Sequence, residues 1–348
     1  MKLLSVIGTR PQYIKHASFA IEAAKHCNVN LITIDTGQHY DANMSSIFIE
    51  KLEIQDIKYN LGIGSAKHGE QTGKMLIEIE KILLIENPNF VIVYGDTNST
   101  LAGAIAAAKL KIPVIHIEAG MRNHNLQVPE EINRTLVDRI SSLRFAPSED
   151  AVKNLVQEGL STNTFLVGDI TTDLLKEIGN KTNVLIQDKF YFATIHRPFN
   201  TDSKNRILQI LNALNNLEYT VILAMHPRTK NEVNNWNILL EEFKNIDVIE
   251  PLGFFDTINH VLSSEGVITD SGSLQKEAYI LKKKCTTILE YTPWQETLLG
   301  SWNYLLFQDL SNLNKVMNRE VDDNQYISSC YGDGNVARKI MDCIFLNA

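Results

Sequence analysis

Three carboxylates stand where a chain places acid–base chemistry. Asp96 follows the apolar run FVIVY through Gly95, Glu118 follows the run IPVIHI, and Glu130 lies a few residues on in PEEINRTLVDR. Carboxylates near one sheet edge supply acid and base together, because crowding and burial drive their pKa values apart. Cationic segments accompany them. GTRPQYIK, residues 8–15, joins a glycine turn to Arg10 and Lys15, and Arg134 closes PEEINR. A strand-to-helix turn with glycine and arginine suits a diphosphate, which takes helix N-terminal amides and a bidentate guanidinium. Blander alternatives stay open: Lys15 on a solvated helix face, and Glu130 with Arg134 as an i,i+4 ion pair on a helix started by Pro129.

The second half of the chain carries a different set. His196 in HRP and His226 in HPRT each follow an apolar run and have arginines nearby. No HxxxH-type spacing occurs and the carboxylates fall in the other half. The histidines therefore read as anion contacts or proton-transfer groups rather than metal ligands. DSGSLQKEA, residues 270–278, is a second phosphate-type turn: Ser271, Gly272 and Ser273 offer small side chains and amides ahead of a helix. Glu277, about a turn and a half beyond, can accept hydrogen bonds from a ribose diol. An ordinary N-cap with favourable helix charge explains this motif as well. No GxGxxG follows a strand, GIGSAKHG (62–69) has the wrong spacing, and GxxxxGK[ST] is absent, so neither NAD chemistry nor a P-loop is supported.

These groups need a scaffold. Short apolar runs, among them KLLSVI, NLITI, FVIVY, IPVIHI, FLVG, YFATI, TVILAM, GVIT and CTTIL, alternate with helical-period segments such as 17–26, 72–86, 101–109 and 206–217. That alternation predicts an α/β fold, parallel sheets with helices on both faces, and the unbroken apolar runs agree with strands buried on both sides. GTRPQ, GDTNST, EAGMRN, HRPFN, HPRT and DSGSLQ all fall at carboxyl ends of strands, where open parallel sheets bind ligands. Turn and cap chemistry explains any one of them, but not the repeated series of Arg, His, Asp and Glu. The 348 residues suit two such halves facing a central cleft. The weaker, Asn- and Lys-rich stretch 168–189 puts the boundary near its start.

A net charge of −8 argues against a nucleic-acid or membrane-surface partner, since both want a basic face. Cys27, Cys285, Cys330 and Cys343 are scattered without a CxxC pair, so they read as small buried hydrophobes rather than a zinc or redox site. MKLLSVIGTR reads as a first strand rather than a signal peptide, and no apolar stretch reaches membrane-spanning length; a cytoplasmic protein is expected.

In this order, GTRPQ, TGQHYDANMS, YGDTNSTLAGA, HIEAGMRN, PEEINR, HRPFNTD, MHPRT and DSGSLQKEA resemble the non-hydrolysing UDP-N-acetylglucosamine 2-epimerase family over almost the whole chain. The resemblance implies a GT-B-like pair of Rossmann-like doubly wound domains: 1–167 with the acid–base residues, 168–334 binding UDP, and a last helix at 335–348, after a YGDG segment, crossing back to the first. It implies a UDP-sugar substrate, no NAD or metal, a homodimer, and a role in bacterial surface polysaccharide synthesis. The family inverts C2 of a UDP-linked 2-acetamido sugar by eliminating UDP to a glycal and adding it back. Matched by position, Asp96, Glu118, Glu130 and His196 are the essential residues. Arg10, Lys15, Arg134, His226, Ser271, Gly272, Ser273 and Glu277 line the substrate. Glu118 is taken as base, with Asp96 and Glu130 completing a proton relay, although sequence leaves the acid and base assignments open. Gln38 and His39 match part of a site at which some relatives bind a second substrate molecule.

Three stretches depart from the family's usual pattern: GTRPE is GTRPQ, with Gln12; DSGG is DSGS; and RDxTERPE is LEYTPWQE, with Leu289 and Trp294 in place of arginines. GTRPQ, TGQHYDANMS, HGEQTGKML and YGDTNSTLAGA look most like the branch that epimerises UDP-2,3-diacetamido-2,3-dideoxyglucuronate. A carboxylated sugar needs a cationic or amide-rich pocket, which the sequence does not locate. A hydrolysing 2-epimerase, which usually begins with a GxRADY-like turn, and a GT-B glycosyltransferase or a noncatalytic nucleotide-sugar binder are the competing readings.

Overall fold

The computed structural model describes residues 1–38, 57–181, 188–292 and 294–348. His39, the rest of TGQHYDANMS beyond it, and Pro293 lie outside the described residues. The chain separates into two compact units, Met1–Leu174 with Ser329–Ala348, and Leu175–Ser328. The change from one to the other falls inside the helix Thr171–Lys181, later than the 167/168 boundary expected from composition.

The first unit holds a sheet of seven parallel strands: β1 (Lys2–Ile7), β2 (Asn30–Asp35), β3 (Ile57–Asn60), β4 (Phe90–Tyr94), β5 (Val114–Ile117), β6 (Leu143–Ala146) and β7 (Thr164–Leu166). Their order is β3-β2-β1-β4-β5-β6-β7. Register sets the core. Leu4 pairs with Ile32 and Val91, and Val6 with Ile34 and Val93. These six side chains share one face and pack against Met75, Ile79 and Leu83 of the helix His68–Glu86 and Ala102 and Ala106 of the helix Asn98–Lys109. Full burial of a Val, Leu or Ile side chain contributes about 1.5–3 kcal/mol, so this face holds the unit together. The other face carries a buried polar seam in which His16 bonds Tyr94 Oη through Nδ1 at 3.0 Å and Thr33 Oγ1 through Nε2 at 3.0 Å.

The helix expected at 17–26 begins earlier and spans Arg10–Ala23, because Pro11 fits its first turn and Gln12 Oε1 accepts from the Thr9 amide at 3.2 Å, fixing the entry of the chain. The helix Val336–Leu346 packs against it within the same unit. Asp173 starts that last helix from outside, its two carboxylate oxygens accepting the amides of Val336 (3.0 Å) and Ala337 (2.7 Å).

The second unit repeats the plan with six parallel strands: β8 (Phe190–Thr194), β9 (Thr220–Ala224), β10 (Ile246–Ile249), β11 (Gly266–Thr269), β12 (Cys285–Thr287) and β13 (Asn303–Leu305), in the order β10-β9-β8-β11-β12-β13. Tyr191, Ala193, Val221 and Leu223 face Ile207, Ile210, Leu211 and Leu214 of the helix Lys204–Asn215. Phe190, Phe192 and Val267 face Val261, Leu274 and Ala278 on the other side. β3, β6, β10 and β13 are absent from the apolar runs read in the sequence. Each is only three or four residues long, and polar or charged residues such as Lys58 and Arg144 interrupt them.

Candidate active site

In each sheet the strand order reverses next to the first strand, between β1 and β4 and between β8 and β11. Ligands of doubly wound sheets bind outside the carboxyl ends at such a point. The motifs of the sequence leave from these strands and their neighbours.

In the first unit the turn after β1 is tight. A Cβ on Gly8 would lie 1.9 Å from Thr36 Oγ1 and 2.6 Å from Ser99 Oγ, so only glycine fits. Arg10 opens the helix and is partly exposed. Gln12 is buried, and its amide nitrogen donates to Tyr94 O (2.9 Å), Thr97 Oγ1 (3.0 Å) and Thr100 Oγ1 (2.9 Å), tying the β1 turn to the β4 turn. A glutamate there reaches the Tyr94 carbonyl only when protonated, so the amide makes this tie at any pH. Gln38 Oε1 accepts from the amide (3.0 Å) and hydroxyl (2.6 Å) of Ser99.

Asp96 and Glu118 each meet a cation. The Asp96 carboxylate pairs with the Arg134 guanidinium, and Asn133 Nδ2 holds the Asp96 carbonyl at 2.9 Å. Glu118 pairs with the Lys15 ammonium. Lys15 is therefore turned inward, not spread on a solvated face. Glu118 has φ +73°, a left-handed conformation rare for a side-chain-bearing residue. A Cβ on Gly95 would sit 3.1 Å from Glu118 Oε2 and 3.6 Å from Lys15 Nζ, so the ion pair rests against that glycine. Strain of this kind clusters at functional sites.

Glu130 stands apart. It is exposed in the first turn of the helix Pro129–Ile140, and among the described residues no hydrogen bond or ion pair joins it to Asp96, Glu118 or Arg134. This corrects the i,i+4 pair read from sequence: Arg134 takes Asp96 and, at 3.1 Å, Glu131. Glu131 is buried and also accepts the amides of Asn123 (3.1 Å) and His124 (3.0 Å). The Arg134 Nε is buried with no partner among the described residues.

Behind the β5 turn lies an ionic network that sequence reasoning missed. The side chains of His116, Asp138 and Arg122 are buried. His116 Nδ1 meets Asp138 Oδ1 at 2.7 Å, Arg122 Nη1 meets Asp138 Oδ2 at 2.8 Å, and Glu158 takes Arg122 bidentately at 2.7 Å per contact. Burial works to raise the Asp138 carboxyl, but His116 and Arg122 outweigh it and hold the group below the usual carboxylate range.

In the second unit His196 and His226 come together, with ring centroids 5.5 Å apart. The buried Asp270 accepts the amides of His196 (3.0 Å) and Arg197 (2.9 Å) and the Asn200 amide nitrogen (3.1 Å), and His196 Nδ1 lies 3.1 Å from its Oδ1. Asp270 thus holds the backbone under the His196 ring and lies beside its Nδ1. Partial burial, His196 and Arg228 push the His226 imidazole below its ordinary pKa, against the pull of Asp270.

Ser271 is the N-cap of the helix Gly272–Ile280, its hydroxyl accepting from the Leu274 amide. The cap alternative left open by the sequence therefore describes its side chain. Gly272 and Ser273 form the first turn, whose amides have no intrahelical acceptor, and the Arg197 guanidinium lies 3.5 Å from where a Gly272 Cβ would be. Glu277 is buried on the same helix. Trp294, in the departing loop, donates its indole N–H to the Gly272 carbonyl at 2.9 Å, and the Lys276 ammonium sits 4.5 Å over its ring. Asp270 and Arg197 escaped the reading of the sequence although both lie inside motifs quoted from it. Only the hydrogen bonds show what they hold. Among the described residues no group of three or more His, Cys, Asp or Glu is placed to hold a metal ion, and no helix is long and apolar enough to cross a membrane.

Two doubly wound parallel sheets, one with ion-paired carboxylates at its switch point and the other with paired histidines beside a helix N-terminus, define a two-domain α/β protein of the GT-B-like class. Residues 21–345 match the family model described as UDP-N-acetylglucosamine 2-epimerase, and the chain belongs to that family of enzymes. A UDP-N-acetylglucosamine 2-epimerase homolog of Methanococcus maripaludis is 40% identical over 356 aligned positions, covering 99% of both chains. The UDP-2,3-diacetamido-2,3-dideoxy-D-glucuronate 2-epimerase of Pseudomonas aeruginosa is 42% identical over 316 positions, 88% of each chain. The crystal structure of the Methanocaldococcus jannaschii UDP-GlcNAc 2-epimerase in complex with UDP-GlcNAc and UDP superposes with a TM-score of 0.82 at 39% identity, over 99% of this chain and 100% of that one.

Proposed function

We propose that this enzyme inverts C2 of a UDP-2-acetamido sugar, UDP-N-acetylglucosamine or a close analogue, without net hydrolysis. The observation that carries the reading is the pair of carboxylates at one sheet edge, Glu118 against Lys15 and Asp96 against Arg134, in a chain of this family. The C2 hydrogen flanks no carbonyl, so simple enolisation is unavailable. Elimination solves the problem. A carboxylate takes the C2 proton, the C1–O bond breaks with its electron pair leaving on UDP, and a 2-acetamidoglycal forms. UDP then adds back at C1 while a proton is delivered to the opposite face of C2.

Glu118 is assigned as base, Asp96 and the exposed Glu130 as the remaining relay, and Lys15 and Arg134 as the cations that pair with the carboxylates and orient them. Departing diphosphate needs a clamp, and His196, His226, Arg10, Ser271, Gly272 and Ser273 are assigned to it, with Glu277 on the ribose. The reading requires neither NAD nor a metal, and includes a homodimer and a product used in surface polysaccharide assembly.

A second reading, UDP-2,3-diacetamido-2,3-dideoxyglucuronate as substrate, is favoured by the 42% identity to the Pseudomonas enzyme. The test is proton NMR of the purified protein in D2O with UDP-N-acetylglucosamine and no NAD. UDP-N-acetylmannosamine with deuterium at C2 is the expected result. Deuterium entering only the diacetamido-glucuronate moves the assignment to the second reading. Free UDP with free sugar as the stable products, or no C2 exchange in either substrate, overturns the proposal. Light scattering tests the homodimer.

A further inference from the structure

The buried network behind the β5 turn touches neither Asp96 nor Glu118 by side chain, yet it grips the backbone of both turns that carry them. His116 has an acceptor on each ring nitrogen: Asp138 Oδ1 at 2.7 Å from Nδ1 and the Gly95 carbonyl at 2.7 Å from Nε2. Gly95 immediately precedes Asp96. Asp138 takes the Gly120 amide on its other oxygen at 3.0 Å, two residues past Glu118. One imidazole and one carboxylate thus bridge the end of β4 to the end of β5 from underneath, and Arg122, clamped by Glu158, holds Asp138 in place. All three residues are nearly or fully excluded from solvent.

We propose that His116 and Asp138 are a positioning pair that sets the spacing between the Asp96 and Glu118 carboxylates. The inference rests on the assignment of those two carboxylates to the reaction. Each ring nitrogen faces an acceptor, so the imidazole meets both turns. The bond to Gly95 fixes the Asp96 turn, and the bond to Asp138, through Gly120, fixes the turn in which Glu118 holds its left-handed conformation. A base and an acid on opposite faces of one carbon tolerate little error in their separation.

The two halves of the bridge can be cut separately. An asparagine amide nitrogen falls near the position of Nδ1 and a glutamine amide nitrogen near that of Nε2. His116→Asn therefore keeps the donor to Asp138 and loses Gly95, whereas His116→Gln keeps Gly95 and loses Asp138. With the UDP-sugar that the wild type turns over, His116→Asn is expected to lower kcat about 100-fold with KM within about twofold, and His116→Gln to stay within about 10-fold of wild type, at comparable losses of Tm. Equal kcat values for the two variants, or kcat that simply follows Tm, would overturn the proposal.

Amide hydrogen exchange gives a readout that needs no turnover. The peptide spanning 94–100 should lose protection in His116→Asn while 116–123 and the second unit keep it. Asp138→Asn, the alternative should His116→Asn fail to fold, should loosen the 116–123 peptide first. A wild-type protein without epimerase activity would defeat the functional reading alone. Unchanged exchange at both turns in the variants would defeat the positioning pair alone.

Discussion

The two sheets share a strand order and a switch point, yet their carboxyl edges are built from opposite chemistry. At β1, β4 and β5 the first sheet presents Asp96 and Glu118, each matched by a cation drawn from a helix. At β8, β9 and β11 the second presents His196, His226 and the amino end of the helix Gly272–Ile280, with the carboxylate of Asp270 buried and engaged from behind. A carboxylate facing solvent can take or give a proton. A carboxylate buried behind a histidine instead holds the backbone that carries that ring. In the function proposed above, the same topology makes one edge that moves protons and another that receives an anion, and the difference lies in whether the acid is in front of the site or behind it.

Removing the front carboxylate should have the largest effect. Glu118→Gln keeps the volume and a contact to Lys15 but cannot accept a proton, and kcat is expected to fall roughly 10²–10⁴-fold while UDP affinity by calorimetry stays near wild type. A parallel loss of UDP binding would mean that the first edge also holds the anion, and the contrast between the edges would disappear.

Next comes the acid behind the site. Asp270→Asn turns an NH2 toward a cluster of donors, so it should cost about 1–3 kcal/mol of stability and release the His196 ring, lowering kcat and weakening UDP binding together. Intact UDP affinity in a folded Asp270→Asn protein would falsify the assignment of this edge to the anion.

Ser271→Ala removes the N-cap of the helix Gly272–Ile280. A loss of about 1 kcal/mol by chemical denaturation is expected, with UDP binding weakened less than in Asp270→Asn, because the first-turn amides remain.

The smallest effect is a pH slope. His226 in the folded protein sits below its ordinary value of 6.5, so the unfolded chain binds the proton more readily. Stability should therefore be at its full value above pH 6.5 and decline as pH falls from there toward the depressed folded value, with no further decline from this group below it. His226→Asn should flatten that segment of the curve. An unchanged slope would show that the second edge does not disfavour charge on His226.

Much of this was open to a reader of the sequence alone. Apolar runs such as FVIVY and GVIT, unbroken over four or five residues and alternating with helical-period segments, read as strands buried on both faces of parallel sheets covered by helices. The residues that follow those runs fall at one edge because every strand of a parallel sheet points the same way. Asp96, Glu118, His196 and Ser271 were placed by this rule, and the ordered series of motifs was enough to reach the family. What the sequence could not decide is who holds whom. Lys15 and Glu118 are 103 residues apart and Arg134 and Asp96 38 apart, so no local spacing announces either pair, whereas the nearby Glu130 announces a bond to Arg134 that the fold does not make. Helical geometry turns Glu131 inward and Glu130 to solvent, and the register of β4, β5 and the helix Pro129–Ile140 brings Asp96 to Arg134 and His116 to Asp138. Residue type and order determine which elements form and which edge carries chemistry, since those follow from local burial. The ion pairs and the buried bridge come only from packing, since they join residues that meet only once the sheet and its helices are in place.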